Sequence, residues 1–329
     1  MARLKLHISH LSPLFKDALA LVQNDKFQLT FQDHLINNPA ALADTIRDAD
    51  ILYLGGDDYY SREVLSQAKN LKLISFGGTG YESYIDAAAA TELGIAITNT
   101  PGANSDSVAN HKRDFIRAAI NQIIAPDKAG VYMPNPRDVK IGLIGFGNIH
   151  QALYEKLRGK YDVHFWNRTK IDNPDYRDLD TLLGESNLLS ISITANDSTK
   201  GFLGPEEFRK MKNNSFGIVN SCRHNLVDER APVQFLNENW PRSYHVDQDV
   251  RIDGVIPCPR NPNKVATTPS SGCRTAEAWN KTDMMAFQNI ALFANAGTSK
   301  YIVNPEYKKA AVNSAVNTAF IMDRMARRN

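Results

Sequence analysis

From Lys140 to His150 the chain reads Lys-Ile-Gly-Leu-Ile-Gly-Phe-Gly-Asn-Ile-His, an order of residue types suited to seating the pyrophosphate of a dinucleotide. The apolar run from Val139 to Ile144 predicts a strand covered on both faces. After it, Gly145 permits a sharp turn and Gly147 lets the backbone approach phosphate oxygens. The amides of Asn148 and Ile149 then open a helix whose positive end faces the anion. A complete G-x-G-x-x-G turn has a third glycine where this chain has His150. The side chain there is expected to push the helix off the strand or to point outward.

The next strand, over 161–166, runs into Asn167-Arg168-Thr169-Lys170. An acidic residue at this place would hold the ribose 2′-hydroxyl of NAD, and none is present. Arg168 can instead fork onto a 2′-phosphate, with Asn167, Thr169 and Lys170 as further donors, so NADP(H) is favoured over NAD(H).

The elements that must position these residues alternate along the chain. Strands are expected at 4–8, 28–31, 51–54, 72–76 and 96–99, with helices between them, which predicts a parallel sheet covered on both faces. A long helix over 105–123 and a proline-rich loop over 125–137 lead into the phosphate turn. Strands follow at 188–193, 216–220, 243–246 and 265–267. A helix over 276–296 precedes a helical tail over 310–327 that is expected to pack on the first domain. The fold class is therefore α/β, with two doubly wound parallel-sheet domains: 1–104 with 297–329, and a Rossmann domain over 105–296.

A length of 329 residues accommodates two such cores, and a net charge of only +2 supplies no broad field for nucleic acid or a membrane surface. Partners are expected to be small molecules. No apolar run reaches bilayer length, so the default location is cytoplasmic. Three cysteines, Cys222, Cys258 and Cys273, make no disulfide framework, and no spacing suggests a metal. In Asn110-His111-Lys112-Arg113-Asp114 the Lys-Arg pair is expected on a solvated helix face. Gly55-Gly56-Asp57-Asp58-Tyr59-Tyr60 ends an early strand, where its polar and aromatic groups could line a ligand site.

Further segments, taken in order, resemble the D-2-hydroxyacid dehydrogenase family across most of the chain. They are Leu71 to Asp86 with Gly77-Gly78-Thr79-Gly80-Tyr81, then Gly94 to Ala109, Thr199 to Gly204, and Phe216 to Asp228. The resemblance implies a cofactor domain inserted into a smaller flavodoxin-like domain, an active site in the cleft between them, and a homodimer built through the cofactor domains. It implies that Arg223 grips the carboxylate and carbonyl of a 2-oxo acid, that Gly78, Thr79, Gly80 and Tyr81 close on the carboxylate, and that Ser221, Cys222 and Asp247 border the cofactor.

The family's catalytic histidine follows a proline near the end of the cofactor domain, and here Pro269 is followed by Ser270. Its glutamate partner is also not evident, since Asp247-Gln-Asp249-Val-Arg-Ile-Asp253 offers only shifted aspartates. A ketone that accepts hydride needs an acid for the developing alkoxide, and a serine hydroxyl is far too weak to act unaided. Three readings follow. Another group, with His224, Tyr81 and Tyr84 as candidates, supplies the proton; or the substrate is an iminium or cyclic imino acid that needs none; or the protein is a non-catalytic NADP(H)-binding sensor. The first leads, and retention of Arg223, the glycine-rich substrate strand and the cofactor loop together favours an enzyme over the sensor, because a pure scaffold has no chemical need for such an arginine.

Overall fold

A computed structural model describes residues 3–10, 16–122, 135–211, 215–228, 230–237, 243–247 and 265–309. The chain forms two units, Met1–Asn104 with Ala276–Asn329, and Ser105–Thr275.

In the first unit β1 (Leu4–Ser9), α1 (Lys16–Leu19), β2 (Phe27–Gln32), α2 (Pro39–Ile46), β3 (Ile51–Leu54), α3 (Arg62–Leu65), β4 (Leu73–Phe76), α4 (Ala87–Glu92) and β5 (Ala96–Thr98) alternate as the hydrophobic pattern predicts. The sheet order is β2-β1-β3-β4-β5, parallel throughout. This is the flavodoxin-like winding. β3 and β4 are buried at every position, as strands covered on both faces must be.

One boundary differs from the sequence expectation. The helix Ala276–Ala296 packs on the first sheet rather than within 105–296. Its Ala286, Phe287 and Ile290 share a core with Leu6, Ile8, Ile51, Tyr53 and Leu73. Tyr53 Oη donates to Asp283 Oδ1 (2.5 Å), Ser75 Oγ to the Ala286 carbonyl (2.9 Å) and Asn289 Nδ2 to the Asn99 carbonyl (3.1 Å). A parallel sheet needs cover on both faces, and the apolar stripe of this helix supplies it.

The second unit runs α5 (Ser105–Gln122), β6 (Lys140–Ile144), α6 (Asn148–Leu157), β7 (Asp162–Trp166), α7 (Leu179–Glu185), β8 (Leu188–Ile191), α8 (Pro205–Lys210), β9 (Gly217–Asn220), α9 (Ala231–Asn237), β10 (Tyr244–Val246) and β11 (Val265–Thr267). Its parallel sheet is ordered β11-β10-β9-β8-β6-β7, so the winding reverses between β6 and β8. Ligands of such sheets bind outside the carboxyl ends of the strands at that reversal.

No helix among the described residues is long and apolar enough to cross a membrane. Among them no cluster of histidine, cysteine, aspartate and glutamate has metal-binding geometry. The tail over 310–329, Cys258 and most of the proline-rich loop lie outside the described residues.

Candidate active site

At the winding reversal of the second sheet, β6 ends in the glycine turn. Gly145 has φ +85°, and a Cβ on it would stand 2.4 Å from the Ser192 carbonyl oxygen, so position 145 requires glycine. Nothing lies within 4 Å of a Cβ placed on Gly147, which leads into α6 with extended backbone. Gly147 and Asn148 are exposed and Ile149 is half-buried, which leaves open ground in front of the first amides of α6. Asn167, at the end of β7, joins the two cofactor segments: its Oδ1 accepts from the Phe146 amide (3.3 Å) and its Nδ2 donates to the Thr169 carbonyl (3.1 Å). Arg168 and Thr169 are exposed beyond it, and no carboxylate pairs with Arg168 among the described residues.

Ser221, after β9 on the same sheet edge, has a buried Oγ without a hydrogen-bond partner. A buried hydroxyl costs free energy unless something bonds to it, so this orphan fits a polar group that the chain itself does not supply. The glycine turn, the free helix amides, Arg168 and Ser221 therefore fit a nicotinamide dinucleotide.

His150 does not point outward. It is fully buried, with Nδ1 2.6 Å from the Gly145 carbonyl oxygen and Nε2 3.0 Å from Ser190 Oγ. Lys112 is not solvated either. Its side chain is fully buried and Nζ donates to the Ile191 carbonyl (2.8 Å) and to Ser190 Oγ (3.4 Å). The donors order themselves: Lys112 to Ser190, Ser190 to His150 Nε2, and His150 Nδ1–H to the carbonyl of the strained turn. Burial first, and then the nearby Lys112 charge, push the His150 imidazole well below its ordinary value, so this ring is neutral. Burial lowers Lys112 as well. The signal was present in the sequence, because Lys112 shares a helical stripe with the buried Ala109, Ile116 and Ala119.

Arg223 follows β9 and is half-buried. Its Nη1 donates to the Cys222 carbonyl (3.0 Å), and no carboxylate pairs with it among the described residues. Asn220, which the sequence reading passed over, clamps this loop: Oδ1 accepts from the Cys222 amide (3.0 Å) and Nδ2 donates to the Arg223 carbonyl (2.8 Å). His224 is exposed at the start of a 3-10 turn. The Cys222 thiol turns inward to Ser192 Oγ (3.4 Å), a packing role.

Ser270 has φ +53°, a left-handed conformation uncommon for a side-chain-bearing residue, and its Oγ donates to the Asp247 carbonyl (3.3 Å). The Asp247 carboxylate is turned into the same loop and accepts from Thr268 Oγ1 (2.5 Å) and the Ser271 (2.6 Å) and Gly272 (2.7 Å) amides. Burial alone would raise this carboxyl. Bonds from His111, Thr268, Gly272 and Ser271 outweigh it and hold the group below the usual carboxylate range. The segment that would carry the family's glutamate, including Asp249 and Asp253, lies outside the described residues.

In the first unit, Gly78 to Tyr81 follow β4. The Gly78 carbonyl accepts from the Thr100 amide (2.8 Å) and the Thr79 carbonyl from Asn99 Nδ2 (3.0 Å). With its carbonyls held, the loop leaves the Gly78, Thr79 and Gly80 amides without an internal acceptor among the described residues. Tyr84 stacks on Phe76 at 5.2 Å between ring centres. Asp58 and Tyr60, expected to line a ligand site, are buried. Asp58 accepts from His10 Nε2 (3.1 Å), Gln32 Nε2 (2.6 Å) and the Ile36 amide (2.9 Å), which makes it a satisfied structural carboxylate.

Residues 8–304 match the family model described as D-isomer specific 2-hydroxyacid dehydrogenase, catalytic domain. A glyoxylate reductase of Thermofilum pendens is 29% identical over 94% of this chain and 97% of its own length. A hydroxypyruvate reductase of Thermotoga maritima is 29% identical over 88% of this chain and 98% of its own. A glyoxylate reductase structure from Paecilomyes thermophila superposes with a TM-score of 0.80 at 25% identity, covering 93% of this chain and 99% of that one. The match runs through both units, and with the phosphate turn at the sheet reversal it identifies the chain as a member of the D-isomer specific 2-hydroxyacid dehydrogenases, a family of nicotinamide-dependent oxidoreductases.

Proposed function

We propose that the protein reduces a small 2-oxo acid with NADPH, Arg223 holding the substrate carboxylate. The observation that carries the reading is the Arg223 guanidinium itself, half-buried after β9, braced through its backbone by Asn220 and paired with no carboxylate among the described residues. A planar fork with most of its donors unused is suited to a carboxylate and an adjacent carbonyl.

When bound, the reduced nicotinamide supplies hydride. The chain's contribution is to hold its pyrophosphate at the first amides of α6, to bond its polar groups with Ser221, and to meet a 2′-phosphate with Arg168 and Thr169. Glyoxylate and hydroxypyruvate, the substrates in the relatives' names, are the first candidates because both are small and carry a carboxylate beside a carbonyl.

NADPH consumption against a panel of 2-oxo acids, with and without ammonia, and against cyclic imino acids tests the reading. Turnover of 2-oxo acids without amine supports it. Turnover only with amine or a cyclic imine would replace it by imine reduction, and NADPH binding with silence across the panel would favour a sensor. Arg168→Ala is expected to weaken NADPH binding by roughly 10- to 100-fold, the loss of one charge-assisted fork, while leaving NADH nearly unchanged. An unaltered NADPH-to-NADH ratio would show that Arg168 does not select the cofactor.

A further inference from the structure

Resting on the reductase reading, we infer that His111 is the acid that protonates the substrate oxygen, as one half of an imidazole–carboxylate pair with Asp247. His111 Nε2 stands 3.0 Å from Thr268 Oγ1 and 3.4 Å from Asp247 Oδ1. The single hydroxyl hydrogen of Thr268 goes to Asp247 (2.5 Å), so the threonine oxygen must accept from His111, and Nε2 carries a hydrogen in either charge state. The proton that comes and goes is therefore on Nδ1, which has no partner among the described residues. The ring is 22% exposed and its carboxylate partner 6%, so the carboxylate is enclosed while part of the imidazole stays open.

Placement supports the role. The pair adjoins the turn Ser270–Gly272: a Cβ on Gly272 would come within 2.9 Å of Asp247 Oδ2 and 3.3 Å of His111 Cδ2, so the turn closes tightly over both. The Ser107 hydroxyl fastens this turn to α5 through the Gly272 carbonyl (2.6 Å). The Cys273 thiol donates to the Ser270 carbonyl (3.7 Å) within the same turn. Facing the ring are Asp247 from the end of β10, Thr268 and Gly272 from the segment after β11, and Phe115 from its own helix, with ring centres 4.5 Å apart. Lys112 on that helix turns to β8, and His245 stands beyond Phe115.

In the step, the carbonyl carbon accepts hydride from a reduced nicotinamide and gains a C–H bond, while the C=O π pair moves to oxygen. That oxygen takes the Nδ1 proton, the N–H bond leaves its electrons on nitrogen, and the neutral ring regains a proton from water. The carbonyl carbon is reduced by two electrons and the nicotinamide is oxidised by two.

His111→Phe and His111→Asn, assayed with glyoxylate and hydroxypyruvate, are expected to lower kcat by about 100-fold, the usual worth of a placed general acid. NADPH binding read by fluorescence, the KM for the 2-oxo acid and the melting temperature should stay close to wild type. The fall in wild-type kcat with rising pH should flatten in both variants. Unchanged kcat in an active wild-type background would overturn the inference alone, as would joint loss of kcat, NADPH binding and melting temperature, which marks a structural histidine. A wild-type protein that binds NADPH yet oxidises it with no 2-oxo acid would overturn the reductase reading and the inference with it.

Discussion

Arg223→Ala will lower kcat/KM for the preferred 2-oxo acid by roughly 1,000-fold, about 4 kcal/mol of transition-state stabilisation. The size follows from what the substitution leaves behind, namely a carboxylate in a partly desolvated site with no opposing charge. Arg223→Lys restores the charge without the fork and should recover only part of the loss. Because Arg223 makes one hydrogen bond, to the Cys222 carbonyl, and no ion pair among the described residues, the folded state loses little. NADPH affinity and the melting temperature should therefore hold while turnover falls. Equal activity of Arg223→Ala and wild type would remove the guanidinium from the site. A large drop in melting temperature would assign it to the architecture of the β9 loop.

Acid will destabilise the second unit well before its carboxylates titrate. His245 is fully buried on β10, its Nδ1 has no partner, and burial pushes the ring down from 6.5 to about 4. His150 is lowered as well, by burial and by Lys112. For each ring the folded value lies below the unfolded one, so below pH 6.5 the unfolded chain binds protons that the folded chain refuses. The stability is fully present above the unfolded value and is lost as pH falls toward the folded values. Each ring costs about 1.4 kcal/mol per pH unit in that window, so the two together remove roughly 3 kcal/mol between pH 7.5 and 5.5. Thermal unfolding should shift down by about 6 to 12 °C for a unit of this size. The double variant His150→Gln, His245→Phe should have a flatter profile over that range. A wild-type midpoint that does not move between pH 7.5 and 5.5 would contradict the burial of both rings as neutral groups.

Local rules carried the sequence a long way. The alternation of apolar strands with amphipathic helices is a property of neighbouring residues, and it was enough for two parallel sheets. The glycine turn was equally legible, because the demand for φ +85° at Gly145 and for open backbone at Gly147 is written in residue type. The absence of a carboxylate after β7 and the presence of Ser270 after Pro269 needed no coordinates.

The polar interior was decided by the tertiary structure. Lys112 and His150 are types that ordinarily seek water, and they can be buried only because the Ile191 carbonyl, Ser190 and the Gly145 carbonyl arrive from β8 and the phosphate turn to satisfy them. Likewise Asp247 faces inward because a threonine and two amides from a turn over twenty residues later converge on it. The helix Ala276–Ala296 shows the same dependence at larger scale. Its apolar stripe is plain in the sequence, but an apolar stripe will pack on any open sheet face, and only the assembled strands specify that the first sheet is the one it covers.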